Sequence, residues 1–298
     1  MACATWKKLL SDTSIERSSQ TLSVVGSNAY IYGGELRPRE PVDSAAYRIP
    51  LTQDASSSTV SILSNLPNTP QPRVGAASTT IDGKIYIFSG RGGTAMAPIE
   101  ENGALWVFDT AVSNGEWSQV KPADAQAPYP AGRSYHAQTN NGKDTIFVHA
   151  GCPEKGRLAD LWAFDINTRK WTELPAAPGP ERGGTSIAYY NGKIYRMNGF
   201  DGKTEQGGAL DVFDLATNSW GTINYSADGV SGPSPRSVAC LLPVSIQDKP
   251  SLVTMFGEHD PSSLGHQGAG KMLSDVWIFG IESEKWTKVD AEGKTPPA

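Results

Sequence analysis

Short runs of alternating apolar and polar residues recur along the chain, and they predict β-strands rather than helices. One type of run is rich in Ile, Tyr, Phe and Val, ends in glycine, and returns at intervals of 48 to 61 residues. The five copies end at Gly34, Gly90, Gly151, Gly199 and Gly257. Alternation of apolar and polar residues that ends in a glycine is typical of a half-buried strand that enters a sharp turn. The chain is therefore predicted to contain five copies of one β-unit.

The rest of each unit follows the same order. After the glycine comes a polar loop of variable length and then a further strand, at 105–109, 161–165, 210–214 and 276–279. A tryptophan-bearing strand follows, with Trp117, Trp171, Trp220 and Trp286. An arginine opens the next unit, at Arg73, Arg133, Arg182 and Arg236. Each unit thus predicts an antiparallel meander, which cannot bury both of its faces without neighbouring copies.

This pattern resembles the kelch repeat. A period near 50 residues, with glycines after the second strand and a tryptophan in the fourth, is the kelch pattern, and the resemblance implies an all-β propeller with one four-stranded sheet per repeat. We expect a single propeller domain over residues 1–298, in which the repeated Trp and Tyr side chains pack between blades.

The repeats do not correspond to a whole number of complete blades. The segment from Trp6 to Leu9 reads as an outer strand that precedes the first unit, and in propellers such a strand usually pairs into the last blade. The first unit has its own outer strand, expected between Thr59 and Leu66. We expect a six-bladed type with an incomplete last blade: five complete repeats plus an N-terminal outer strand. The apolar faces left open would favour self-association or marginal stability.

Composition narrows the class of partner. With 26 basic and 31 acidic side chains the net charge is −5, which argues against binding to nucleic-acid phosphates or anionic lipid. No apolar run is long enough to cross a bilayer. Three widely spaced cysteines suit a reducing compartment. The sequence therefore predicts a cytoplasmic protein with no nucleic-acid partner and no membrane partner.

The loop after Gly257 carries the most unusual chemistry. It places two of the four histidines, His259 and His266, close to Glu258 and Asp260. Carboxylate and imidazole together suit a divalent first-row metal such as Fe(II). The alternative is an ordinary capped turn with solvated histidines, and spacing alone does not decide between the two. The other histidines, at positions 136 and 149, are expected in the core.

A second group of candidate residues combines charges of both signs. Glu35 and Arg91 directly follow a glycine that ends a second strand, and Arg157 lies a few residues beyond the next one. In a propeller these loops meet at one mouth of the central channel. Two guanidinium groups there suit a sulfate, sulfonate or carboxylate. The alternative is that each arginine forms an ordinary surface ion pair.

Several loop segments resemble the plant specifier proteins and their fungal kelch relatives. The segments that carry the resemblance lie at 33–43, 132–136, 156–162, 182–184, 233–238 and 257–268. The resemblance implies Fe(II) bound by Glu258, Asp260 and His266, with Arg91 and Arg157 holding the anionic group of a substrate and Glu35 at the channel mouth.

The metal-binding segment departs from the family pattern. The plant spacing is Glu-x-x-x-Asp-x-x-x-His, whereas here Asp260 follows Glu258 after one residue and His266 follows after five more. His259 is the natural substitute for a ligand that does not reach the metal.

The sequence supports an iron-dependent specifier-like or lyase-type protein that acts on a small anionic, sulfur-containing metabolite. A kelch module that binds a protein partner or a second copy of itself is the alternative. A copper oxidase resembling galactose oxidase is a third hypothesis. It needs histidine ligands for copper, and the chain has only four histidines.

Overall fold

The computed structural model describes residues 4–51, 59–263 and 270–296, and nearly all of its regular structure is β. Strand β1 (Ala4–Trp6) and a 3-10 turn (Thr13–Ile15) come first. The first unit contains β2 (Thr21–Val25), β3 (Asn28–Tyr32), β4 (Glu35–Arg37), β5 (Glu40–Pro41), β6 (Ala46–Pro50) and β7 (Ser61–Leu63). The second contains β8 (Ala77–Ile81), β9 (Lys84–Phe88), β10 (Arg91–Gly92), β11 (Ala97–Pro98), β12 (Leu105–Asp109) and β13 (Glu116–Val120).

The remaining units are built in the same way. The third contains β14 (Ala137–Asn140), β15 (Thr145–Gly151), β16 (Leu158–Asp165) and β17 (Lys170–Leu174). The fourth contains β18 (Ser186–Tyr190), β19 (Lys193–Met197), β20 (Ala209–Asp214) and β21 (Ser219–Asn224). The fifth contains β22 (Cys240–Ile246), β23 (Lys249–Met255), β24 (Glu258–His259), β25 (Lys271–Met272), β26 (Val276–Gly280) and β27 (Lys285–Val289), and β28 (Ala291–Gly293) follows.

Each unit forms one antiparallel four-stranded sheet, or blade, so the described residues contain five blades. The four main strands pair in chain order within every blade, with short two-stranded hairpins added in the loops of blades 1, 2 and 5. The inner strands β2, β8, β14, β18 and β22 pack side by side in that order. The predicted five β-units and all-β propeller are confirmed, and the outer strand expected between Thr59 and Leu66 is β7.

The N-terminal strand does not join a blade. β1 pairs in parallel with β28, from Ala4 opposite Ala291 to Trp6 opposite Gly293. The outer position of blade 5 is already occupied by β27, which carries its own Trp286, so the fifth sheet has no place for β1. The Trp6 ring instead lies 5.6 Å from the ring of Phe256, beside blade 5. β1 therefore lies beside blade 5 and outside the five sheets, and the expected six-bladed type with an incomplete last blade stays a prediction.

The repeated aromatic side chains fill the spaces between blades. Tyr30 and Tyr32 of blade 1 pack against Ile87 and Trp117 of blade 2, and Tyr86 and Phe88 of blade 2 pack against blade 3. Burial of such faces is the main source of stability in this architecture. The expected core role of the repeated aromatics is thus confirmed.

The repeat arginines are buried and act as framework residues. Three of them pair with a carboxylate of their own blade: Arg73 with Glu101, Arg133 with Asp160 and Arg236 with Asp275, at 2.6 to 3.0 Å. In each case the carboxylate also accepts a hydrogen bond from a tryptophan indole of the same blade. These bidentate pairs join the entry of a blade to the start of its third strand.

A chain of main-chain hydrogen bonds runs around the central axis. It links five residues with left-handed backbone angles, one at the entry of each blade: Ser19, Gly75, Tyr135, Gly184 and Val238. From Gly75 onward, each amide donates to the carbonyl of the previous member, so four bonds of 2.7 to 2.9 Å join the five residues. We call this series the axial belt. It fixes the spacing between neighbouring blades at one end of the channel.

Candidate functional site at the mouth of the propeller

The mouth of the channel is lined by the residues that directly follow the five terminating glycines. These residues are Glu35, Arg91, Cys152, Phe200 and Glu258, and each forms an equivalent antiparallel bridge to the entry segment of its own blade. The glycines are required because φ is positive at all five. At Gly151 an added Cβ would also lie 2.7 Å from the Cβ of His136. The local fold therefore places one side chain per blade around the same opening.

Arg91 reaches from blade 2 to blade 3. Its Nε donates to Ser134 Oγ at 2.7 Å, and its Nη2 donates to the Pro153 carbonyl at 2.6 Å. Its Nη1 donates to the Met96 carbonyl at 3.1 Å. The guanidinium is thus held in a fixed orientation by neutral acceptors, and its charge is not neutralised by a carboxylate in any of these contacts.

Arg157 is held less tightly. Its guanidinium carbon lies 5.0 Å from the centre of the Phe200 ring, a cation–π contact. Its Nε is buried without a hydrogen-bond partner, and no described residue accepts a hydrogen bond from its guanidinium. Gly202 makes room for it, since an added Cβ there would lie 2.6 Å from Nη1. Arg157 is therefore the guanidinium at the mouth with the most unused donors.

The two arginines converge on Cys152. Burial raises the pKa of the Cys152 thiol, and the nearby charges of Arg157 and Arg91 act in the opposite direction. Tyr135 lies in the same region: burial raises the pKa of its phenol, with electrostatic effects from Glu35, Cys152 and Arg91. Its hydroxyl is 3.2 Å from Ser19 Oγ in blade 1, so the ring spans part of the opening. Blades 2 and 3 thus form a cationic side of the mouth.

Blades 4 and 5 form an acidic side. Burial raises the pKa of the Glu205 carboxyl, and the neighbouring Glu258 and Asp260 carboxylates act in the same direction while His259 opposes them. These four residues therefore share one region, although only His259 and Asp260 are shown in direct contact, with Nε2 3.2 Å from Oδ1. The mouth is polarised, with positive charge on one side and carboxylates on the other.

His259 is oriented in a way that suits a metal ligand. Its Nδ1 lies 2.8 Å from the Pro235 carbonyl, which can only accept, so Nδ1 is the donor of this hydrogen bond. A backbone carbonyl on one ring nitrogen is the usual support of a metal-binding histidine, and the other nitrogen, Nε2, lies 3.2 Å from Asp260 Oδ1. Asp260 has 73% of its side chain exposed, so its oxygens are accessible.

The rest of the predicted metal set is not assembled among the described residues. Glu258 Oε1 accepts a hydrogen bond from the Gly270 amide at 2.6 Å. His266 lies outside the described residues. Within 4–51, 59–263 and 270–296, no three His, Cys, Asp or Glu side chains form a group able to hold a metal ion. The structure thus provides an imidazole–carboxylate pair of suitable chemistry, and the sequence prediction of the full ligand set stays a prediction.

Some mouth residues were not found from the sequence. Cys152 and Phe200 occupy the positions equivalent to Glu35 and Arg91, so aligning the repeats on their glycines would have found them. Glu205 and Tyr135 do not directly follow a terminating glycine, so this alignment would not have found them. The two remaining histidines are core residues, as expected: both are buried, and His149 Nδ1 lies 2.7 Å from the Asp160 carbonyl. Burial lowers the pKa of His136 to about 3.

Five four-stranded blades, with a glycine after each second strand and a buried arginine at four of the blade entries, define a kelch β-propeller. The chain matches the KLHDC2/KLHL20/DRC7 Kelch-repeats domain over residues 19–257, and it belongs to this family.

Individual relatives resemble the chain over different shares of its length. The chain is 25% identical to the N-(sulfonatooxy)prop-2-enimidothioate sulfolyase of Thlaspi arvense, over 92% of this chain and 79% of that protein. It is 23% identical to Kelch domain-containing protein 3 of Bos taurus, over 77% of this chain but only 57% of the length of that protein. The solved structure of YjhT superimposes with a TM-score of 0.70 at 18% identity, covering 97% of this chain and 88% of that one, which shows the shared fold.

No helix in the described part of the chain has the length and apolar character needed to cross a membrane.

Proposed function

We propose that this chain is an iron-dependent specifier-like protein or lyase-type enzyme that acts on a small anionic, sulfur-containing metabolite at the propeller mouth. The observation that carries the proposal is the polarised mouth, in which Arg91 and Arg157 converge beside Cys152 while His259 and Asp260 lie on the acidic side. The plant relative supports it, because its name describes a substrate with a sulfonatooxy group. A cytoplasmic location is part of the same proposal.

The two sides of the mouth have different tasks in this proposal. Arg157 binds the anionic group with its unused N–H donors, and Arg91, held by blade 3, orients it. As negative charge collects on a departing sulfate, both guanidinium groups stabilise it. Glu258, Asp260 and His266 hold the iron, with His259 as the substitute ligand. Bound Fe(II) supplies a Lewis acid, or an electron for a weak N–O or C–S bond.

Iron analysis tests the metal half of the proposal. Protein purified without chelator should contain about one Fe(II) per chain, as a single three-ligand site implies. The iron should be lost in Glu258→Ala, Asp260→Ala and His266→Ala. Loss in His259→Ala with retention in His266→Ala would show that His259 is the imidazole ligand. Glu173→Ala, at an exposed position on β17, is the control and should keep its iron. Full retention in all four site variants would refute the metal site.

Turnover of a sulfated or carboxylated substrate tests the anion half. Arg157→Ala should reduce turnover while iron content stays unchanged, because the side chain gives up a contact with the Phe200 ring but no hydrogen bond. Lys170→Ala, an exposed cation on β17, removes the same charge away from the mouth and should have no effect. Equal kinetics for wild type and Arg157→Ala would reject the assigned role.

A protein-interaction role is the second candidate, supported by apolar faces on the first and fifth blades. Leu22 and Val24 of β2 are 61% and 54% exposed, and Leu242 of β22 is 48% exposed. We propose that the fold is of the six-bladed type with an incomplete last blade, to which the β1–β28 pair contributes, and that these faces bind a protein partner or a second copy. Leu22→Lys with Val24→Lys should abolish concentration-dependent association in sedimentation experiments. Association that persists would exclude this face.

A further inference from the structure

The fourth blade lacks the carboxylate that pairs with the repeat arginine in blades 2, 3 and 5. Arg182 is buried like its counterparts, and its Nη1 donates to the Asn198 carbonyl at 3.2 Å, as Arg73 Nη1 does to Ser89. Its Nε donates to the Pro180 carbonyl at 3.1 Å. Among the described residues no carboxylate lies within ion-pair distance of Arg182, and Nη2 has no acceptor.

The sequence of blade 4 explains this difference. In blades 3 and 5 the carboxylate comes two residues before the tryptophan of the third strand, as Asp160 before Trp162. The equivalent residue in blade 4 is Ala209, and Asp211 stands in place of the tryptophan. Asp211 is used by a different arginine: Oδ2 lies 2.7 Å from Arg196 Nη1, and Oδ1 accepts from Thr222. Blade 4 therefore has its carboxylate two residues along the strand from the position equivalent to Asp160.

The region around Arg182 carries an excess of buried positive charge. Arg182 and Arg196 are both buried, and Asp211 forms an ion pair with Arg196 but not with Arg182. Burial, followed by the charge of Arg196, lowers the pKa of Arg182 to about 10, and Asp211 and Asp201 oppose this effect only in part. The fully buried Asn198 amide, next to the carbonyl that Arg182 binds, also has no hydrogen-bond partner. An uncompensated buried charge is costly, so a counter-ion is favoured here.

The unused edge of Arg182 is accessible. An added Cβ at Gly179 would lie 3.1 Å from Nη2, which places this nitrogen beside the exposed turn at 178–181. Nη2 is also not fully buried, whereas Nε of Arg196 is buried and has no partner. Nη2 therefore retains some contact with solvent at this turn.

We propose that Arg182 binds a small monocarboxylate of the size of formate or acetate, in the position that Glu101, Asp160 and Asp275 occupy in their blades. The Arg133–Asp160 pair of blade 3 shows the expected binding mode, which is a bidentate pair between guanidinium and carboxylate. This site lies at a blade entry and is independent of the iron and of the substrate proposed at the mouth.

Thermal unfolding in sodium formate tests the proposal, with ionic strength held constant by gluconate. Above the dissociation constant, the midpoint of wild type should rise by about 2 °C for each tenfold increase in formate. Ala209→Asp supplies the missing carboxylate, so it should raise the midpoint without formate and remove the formate response. Thr172→Asp adds the same charge at an exposed position on β17 and should keep the wild-type response.

A second measurement does not depend on the folding of any variant. The carbon resonance of [13C]formate should broaden in the presence of wild-type protein, and excess acetate should reverse the broadening. An unchanged midpoint together with a sharp formate resonance would overturn the proposal. A formate response in Ala209→Asp as large as that of wild type would overturn it as well, because it would show binding elsewhere.

Discussion

Removal of one framework carboxylate measures what a blade-entry ion pair contributes. Asp160 receives hydrogen bonds from Arg133 Nη1 and Nη2 at 2.6 and 2.8 Å and from the Trp162 indole at 2.8 Å. The Arg133 side chain is 1% exposed and that of Asp160 is 18% exposed. Asp160→Ala therefore leaves a guanidinium and an indole N–H without their acceptor, inside the protein.

The expected loss is large. Breaking a buried pair by removing one partner costs roughly 3–5 kcal/mol, because the remaining charge stays desolvated. The partial exposure of Asp160 lets water replace some of the lost contacts, so we expect a loss of about 3 kcal/mol in the free energy of unfolding. Urea denaturation followed by tryptophan fluorescence measures it, and the slope of the free energy against urea should not change.

A surface pair provides the control. Lys84 and Asp109 lie 3.4 Å apart with side chains 45% and 27% exposed, so Lys84→Met should cost less than about 1 kcal/mol. If Asp160→Ala costs no more than Lys84→Met, the framework pairs do not stabilise the blade entries, and the reasoning that underlies the Arg182 site fails with them.

Two further predictions concern a buried histidine and a tight glycine. His136 has no hydrogen-bond partner for either ring nitrogen, and burial lowers its pKa from 6.5 to about 3. The unfolded state therefore binds the proton first, and stability should fall by up to about 1.4 kcal/mol per pH unit as the pH drops below 6.5. His136→Leu should be less sensitive to acid between pH 6.5 and 4, and equal sensitivity would contradict the assignment. Gly115→Ala should cost more than about 2 kcal/mol, since the added Cβ would lie 1.9 Å from Phe108 Cζ. Gly93→Ala, also at positive φ but with open space, should cost only about 1 kcal/mol in the same denaturation assay.

The repeat made most of the fold predictable. Strand alternation, the terminating glycines and the tryptophans are local signals, and they led to the correct number of complete blades. The partner of the N-terminal strand was not predictable, because β28 reads Ala-Glu-Gly and carries no strand pattern. Its pairing with β1 depends on where the two ends of the chain meet, which is a property of the assembled ring.

The candidate site was predictable where it follows the repeat. Glu35 and Arg91 were found because each directly follows a terminating glycine, whereas Glu258, which lies at the equivalent position, was found from the chemistry of its loop. Tyr135 and Glu205 were missed because their roles come from contacts between blades: the Tyr135 hydroxyl reaches Ser19, 116 residues away in the chain. The missing carboxylate of blade 4 was visible in the sequence, as Ala209 and Asp211, but its meaning required the pairs in the other blades.

The axial belt affects which parts of this scaffold can change in sequence during evolution. Its links are amide-to-carbonyl bonds, so the joints between blades do not depend on which side chains project from the loops above. Loops at the mouth can therefore exchange acids, arginines and aromatics without loosening the ring. A frame held by its backbone is compatible with relatives that keep only 23 to 25% of the side chains.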